Sequence, residues 1–287
     1  MSWRRMLFVM DHPTHVGPRL LRKLAELARG CDAELELYQP AFEWSMYKGG
    51  IGSAVSDVET RETLERRHGE LEGIVGALRT MGVRVRGAVS CEKLTCENIL
   101  AEVCDSHSDL LIVQSRPRSA IARLLFSSTD FKLIEHCLCP LLLMKTEKAY
   151  LDACVLAAID PTHAHDKPAT LDEAILDAGT VLARALGGDL HICHALAPMG
   201  RFEARARVEE LARRFNVREA RIHVAPGHPA ETIIGLASWL GASIVAMGAV
   251  SRSALERVTV GHTAERVLDA LNCDVLVVKP PGFRVRA

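Results

Sequence analysis

Residues 247–281 read MGAVSRSALERVTVGHTAERVLDALNCDVLVVKPP. An apolar run ends at Gly248, a polar loop follows, Gly261-His262-Thr263 opens a helical pattern, and a β-branched run closes the segment. The first amides of a helix have no acceptor within the helix, so a loop that leaves a strand and returns to a helix N-terminus can present them to an anion. Fold and function both turn on how this segment is read.

The same segment occurs earlier in the chain. SSTDFKLIEHCLCPLLLMK (127–145) lies over GHTAERVLDALNCDVLVVK (261–279) without gaps, so that Thr129 meets Thr263, Cys139 meets Cys273 and Lys145 meets Lys279. The offset of 134 continues upstream, placing DLLIVQS (109–115) on the SIVAMGA (243–249) of ASIVAMGA. The starts of the halves also match, RRMLFVMDHPTH against DACVLAAIDPTH, with Asp11 corresponding to Asp160. These two are 149 apart, so the first half carries about 15 extra residues, and AFEWSMYKGGIGSAV (41–55) is the candidate insertion.

Each half reads as five strands alternating with four helices. In the second half the strands are expected at 154–160, 190–195, 219–224, 243–248 and 275–279. LDEAILDAGTVLARALGG (171–188) between them is apolar at spacings of three and four and ends on glycines. Strands such as DLLIVQS and VLVVK are apolar without alternation, as a sheet covered on both faces requires. The fold class is therefore α/β, with two tandem doubly wound parallel five-strand sheets over residues 1–147 and 152–281. KTEKAYLDA (145–153) is the polar joint. The last strand of each half is an apolar edge, and pairing it with its counterpart would hide both edges. A pseudo-twofold monomer is expected, with a homodimer left open.

The totals set limits. The chain has 287 residues, 48% hydrophobic and 25% charged, with a formal charge of -1, which gives no bulk attraction to nucleic acid or an anionic membrane. No apolar stretch approaches the roughly 18 residues of a membrane span. The apolar run near the start stops at Asp11 with no small-residue cleavage site and reads as a strand, not a signal peptide. Nine scattered cysteines, an odd number, fit a reducing cytoplasm.

A five-strand α/β half with Asp after strand one, a glycine loop after strand four and LVVKP at the end, as in the second half, resembles the universal stress proteins. PGHPAETII (226–234), with Gly227, Pro229 and Ile233, is similar to that family's entry into its third helix. The resemblance implies an adenine nucleotide alpha hydrolase-like fold and a role in stress resistance, including survival of DNA damage. It also implies a nucleotide loop of the form G-x2-G-x9-G-(S/T), with a ligand-contacting Asp after strand one. In the second half the matching positions are Gly248, Ser251, Gly261 and His262, followed by Thr263, with Asp160 as the aspartate. Ser251 and His262 depart from the pattern. In the first half the positions are Gln114, Pro117, Ser127 and Ser128; all three glycines are gone and Pro117 lacks an amide donor.

The candidate nucleotide or anion site is therefore Asp160, Gly248, Ser251, Gly261, His262 and Thr263. The implied cofactor is ATP or another adenine nucleotide. Each residue has an alternative role: Gly248 and Gly261 in turn and cap geometry, Asp11 and Asp160 as helix caps. Arg116, Arg118, Arg123, Arg252 and Arg257 either receive a phosphate or lipid head group or stand in solvated loops.

HICH (191–194) lies on a strand, so His191 and Cys193 face one way and His194 the other. Neither CLC (137–139) nor CEKLTC (91–96) has zinc-site spacing, and no metal is expected. No nucleophile-elbow, Walker or HExxH motif is present, and no catalytic residue is nominated. The reading is a non-enzymatic stress protein binding a small ligand (nucleotide, phosphate or lipid) through its second half. The alternatives are an ATP-binding switch with slow hydrolysis, or a carrier of a hydrophobic ligand that uses Trp44, Met46 and Tyr47 of the insertion.

Overall fold

A computed structural model describes the chain except residues 1, 11–15, 41–56, 91–93, 116–127, 163–168, 197–200, 249, 253–257 and 284–287. The chain divides into two compact units, one made of Trp3–Gln114 with Glu147–Ala149 and the other of the remaining residues.

The first unit runs β1 (Arg5–Val9), α1 (Pro18–Gly30), β2 (Glu34–Pro40), α2 (Asp57–Thr80), β3 (Arg84–Ser90), α3 (Cys96–Asp105) and β4 (Leu110–Gln114). Its strands are parallel in the order β3-β2-β1-β4. In α1, Pro18 suits the first turn, where an amide has no helical acceptor. Leu20, Leu21, Leu24, Leu27 and Ala28 then bury one stripe at helical spacing. Asp109, just before β4, accepts the amides of Arg4 (2.8 Å) and Arg5 (3.2 Å) and so pins the start of β1.

The second unit contains α4 (Ser128–His136), β5 (Leu141–Met144), β6 (Cys154–Ala158), α5 (Ala169–Ala185), β7 (Asp189–Leu196), α6 (Arg201–Phe215), β8 (Ile222–Pro226), α7 (Pro229–Leu240), β9 (Ile244–Gly248), β10 (Val250–Arg252), β11 (Val258–Val260), α8 (His262–Ala270) and β12 (Asp274–Val278). The strand order is β5-β12-β9-β6-β7-β8, parallel throughout except for β5. Ser243 repeats the role of Asp109, its hydroxyl accepting the Cys154 amide at the start of β6. At the end of α5, Gly187 takes a left-handed φ of 63°. The next residue, Gly188, has no room for a Cβ, which would fall 1.9 Å from the Ala153 carbonyl oxygen.

Two expectations change. Glu219–Arg221 forms a 3-10 turn, so β8 begins at Ile222 and not at 219. The polar loop after Gly248 contains an antiparallel ribbon, β10 against β11, with Ser251 opposite Thr259. The added length of the first half includes helix as well as the 41–55 stretch, which lies outside the described residues: α2 has 24 residues where α6 has 15.

The expected pairing of last strands is present. β5 and β12 run antiparallel with Leu142 opposite Leu276, its own counterpart in the repeat, so a local twofold passes between them. All eight side chains from Leu141 to Met144 and from Val275 to Val278 are buried. Each contributes roughly 1.5–3 kcal/mol of apolar burial.

The repeat's lysines cross this seam. Lys145 Nζ donates to the carbonyls of Leu268 (2.6 Å) and Leu271 at the end of α8. Lys279 Nζ donates to the carbonyls of Glu135 (3.0 Å) and Cys137 at the end of α4. Each ammonium thus caps a helix C-terminus belonging to the other copy, where carbonyls lack partners and the helix dipole is negative. Burial pushes the Lys145 ammonium down to about 8, against Cys273, Asp269 and Asp274, so it stays charged at neutral pH. Asp274, fully buried, receives the amides of Lys145 (2.9 Å) and Thr146 (3.2 Å) and the Tyr150 hydroxyl (2.6 Å), which ties the joint to β12.

Candidate functional site

In the second unit the sheet reverses direction of winding between β9 and β6, and the crevice at their C-terminal ends is where open α/β sheets bind ligands. The register pairs Ala158 with Met247, so Gly248 and the Ile159-Asp160 step stand side by side at this point. The Asp160 amide donates to Asp172 Oδ1 (3.0 Å), and its carboxylate accepts from the Thr162 hydroxyl (2.6 Å). Asp172 is buried in the first turn of α5, so this bond fixes the end of β6 to the start of the following helix.

Gly248 is a glycine for a packing reason. A Cβ built on it would lie 2.8 Å from Leu171 Cδ2, because the Leu171 side chain from the first turn of α5 rests on that face. The missing side chain is used at least by a leucine.

His194, on the α6-facing side of β7, is 1% exposed. Its Nδ1 lies 3.4 Å from the Ile159 carbonyl, and its buried Nε2 meets no hydrogen-bonding atom among the described residues. Burial lowers its pKa, against the Ile159 carbonyl and Asp160, so at neutral pH it is an uncharged imidazole beside the strand ends. His191 points to the opposite face, where its Nδ1 lies 2.9 Å from His223 Nε2 and the two rings stack.

The remaining candidates lie beyond the ribbon. Gly261 is the N-cap of α8 with ordinary φ of -71°, and no side chain caps this helix. Thr95 and His228, by contrast, cap α3 and α7. His262 is 91% exposed at its side chain, with Nδ1 3.8 Å from Glu265 Oε2 one turn on, and Thr263 is half-buried. The Val260 amide donates to Glu135 Oε1 of α4, which anchors the ribbon's end. The structure therefore sets Asp160 and Gly248 at the ends of adjacent strands and Gly261, His262 and Thr263 at a helix start without a side-chain cap, while Ser251 is a ribbon residue. Residues 253–257 of the loop, and Asp11, Pro117, Ser127 and the arginines at 116, 118, 123 and 257, lie outside the described backbone.

Sequence reasoning did not find Asp172, Leu171 or His194. Asp172 carried a signal, an acidic residue one turn into a predicted helix. His194 was assigned its correct face, but nothing in HICH reveals that its ring reaches the strand end. Among the described residues no three His, Cys, Asp or Glu side chains converge as a metal site, and no helix is long and apolar enough to cross a membrane.

Comparison with known proteins agrees with this architecture. Universal stress protein E of Escherichia coli K12 is 23% identical, over 98% of this chain and 96% of its own. A functionally unknown protein of Pseudomonas aeruginosa superposes with a TM-score of 0.75 at 22% identity, over 97% of this chain and 93% of its own. A universal stress protein of Archaeoglobus fulgidus superposes with a TM-score of 0.71 at 18% identity, over 96% and 98%. The universal stress protein family itself matches twice, over residues 2–145 and 155–279. The chain belongs to the universal stress protein family, as a tandem of two of its units.

Proposed function

We propose that this protein is a non-enzymatic tandem universal stress protein supporting survival under stress, DNA damage included. In this reading residues 1–147 and 152–281 are its two family domains, and the second binds a small anionic ligand of the adenine nucleotide class. The odd number of scattered cysteines favours a reducing compartment, the cytoplasm in this reading.

The observation that carries the ligand assignment is the switch point of the second unit. Gly248 stands beside the strand end that Asp160 follows there, and the copy's last helix opens at Gly261 with no side-chain cap. Uncapped N-terminal amides and the positive end of the helix dipole favour a phosphate. The first copy has Gln114 in place of Gly248 and Pro117 in place of Ser251, so the reading assigns one site per chain.

Calorimetric titration with ATP, in parallel with native mass spectrometry of the freshly purified protein, tests this. One bound nucleotide per chain is expected, and His262→Glu should weaken it by setting a carboxylate beside the phosphates. No heat and no adduct at millimolar ATP would overturn the nucleotide assignment.

A further inference from the structure

The CLC tripeptide, excluded above as a zinc site, lies where α4 gives way to β5. Cys137 and Cys139 are both reduced thiols, with Sγ atoms 3.5 Å apart in a hydrogen bond. Cys137 is completely buried, and its carbonyl is one of the two acceptors of the Lys279 ammonium. Cys139 is partly exposed, next to Leu138 at 59% exposure, so one sulfur of the pair reaches solvent and the other does not. The Cys139 thiol, helped by the Lys279 ammonium, holds the Cys137 thiol below its usual pKa even though burial pushes the other way. The arrangement belongs to the first copy alone, because the repeat places Leu271 opposite Cys137 while keeping Cys273 opposite Cys139.

Proximity, unequal exposure and a nearby cation are what a thiol pair needs in order to exchange with an external disulfide. We propose that Cys137 and Cys139 form a reversible redox pair that closes to an intramolecular disulfide on reaction with a small disulfide oxidant such as glutathione disulfide. Cys139, the sulfur that reaches solvent, loses its proton and attacks one sulfur of the oxidant, making a mixed disulfide and expelling one glutathione thiolate. Cys137 gives up its proton and attacks Cys139 Sγ, displacing the second glutathione. The two protein sulfurs lose two electrons in total, the oxidant gains both, and the two thiol protons end on the two glutathiones. Closure takes the sulfurs from 3.5 Å to a bond of roughly 2.05 Å. It tightens the turn whose carbonyls receive Lys279, so oxidation acts directly on one of the two crossed helix caps.

The test is to treat the full-length protein with glutathione disulfide, alkylate the remaining thiols and map the peptides by mass. A 137–139 peptide lighter by two hydrogens, unalkylated and restored by dithiothreitol, is expected. Cys137→Ala should stop at a glutathione adduct on Cys139, and Cys139→Ser should give neither adduct nor disulfide at this tripeptide. The proposal is overturned if the wild-type peptide keeps the glutathione adduct, or if both cysteines are recovered alkylated while other cysteines have reacted. The wild-type arm decides the matter even where a variant fails to fold.

Discussion

The ends of α4 and α8 occupy equivalent places in the two copies and are finished by the same device, a lysine from the opposite copy donating to two terminal carbonyls. Their surroundings differ. After α8 stands Asp274, a buried carboxylate collecting three donors from the joint, whereas the repeat puts Pro140 at that position after α4. Within the terminal turns themselves, Cys137 faces Leu271 across the repeat. What is kept is the part addressed to the main chain, because any residue supplies a carbonyl. What has diverged is the part that depends on side chains, because only one copy has a joint to secure and only one has a thiol pair.

The largest test of that contrast is Asp274→Ala. It leaves two amides and a hydroxyl without their acceptor in a buried place, and should cost about 3–5 kcal/mol in urea unfolding. A loss under about 1 kcal/mol, the range of an exposed surface contact, would reduce Asp274 to an ornament of the seam. The next test uses Gly248, whose first-copy counterpart is Gln114. Gly248→Ala meets Leu171 and should cost roughly 1–3 kcal/mol by overpacking, relieved when Leu171→Ala is added. Absence of relief would mean that the glycine answers to something other than the leucine.

Lys145→Met and Lys279→Met sharpen the symmetry. Each removes one crossed cap and should cost roughly 1–2 kcal/mol, with equal effects if the twofold governs the energetics. A loss confined to one of them would show that the two caps are equivalent in geometry only.

The smallest effects belong to titrating groups away from the seam. In the first unit Glu36 is nearly buried and ion-paired to Arg86 at 2.6 Å, and Glu102 has its pKa raised by burial and then by Glu36. In the second unit His191 and His223 have pKa values lowered, chiefly by burial. The signs are opposite. Below about 6.5 the unfolded histidines take up protons that the folded ones refuse, so stability falls until the folded values are passed. Folded Glu102 binds its proton above the ordinary value of 4.5, so its unfavourable charge is relieved as the pH falls through its folded value. Glu102→Gln should therefore raise stability at neutral pH by less than about 1 kcal/mol, since the group is well exposed to solvent screening. His191→Gln should flatten the loss of stability between pH 7 and 5. A steeper acid limb in that variant would reverse the assignment.

The duplication was legible because it is a property of pattern. Apolar runs without alternation announce buried parallel strands, and Lys145 and Lys279 align at the offset that brings Leu142 opposite Leu276. That the lysines would cross the seam was not legible, since their acceptors are carbonyls, which carry no residue identity. The ribbon was missed for a related reason: AVSRSAL and ERVTV have the turn-rich polarity of a loop, and the register of Ser251 opposite Thr259 is a matter of backbone pairing. At the site, Gly248 was found by its spacing, while Leu171, whose side chain lies where a Cβ would go, sits 77 positions away with nothing to link them in the sequence.

The pairing of β5 with β12 has a consequence for synthesis. Leu-Leu-Leu-Met leaves the ribosome well before its antiparallel partner exists, because Asp274 follows Met144 by 130 residues. At roughly 5–20 residues per second the wait is about 7–26 s. For that interval the nascent chain carries an apolar margin that its own last strand covers in the finished fold, so slowing synthesis between the two strands should increase aggregation of the unfinished chain.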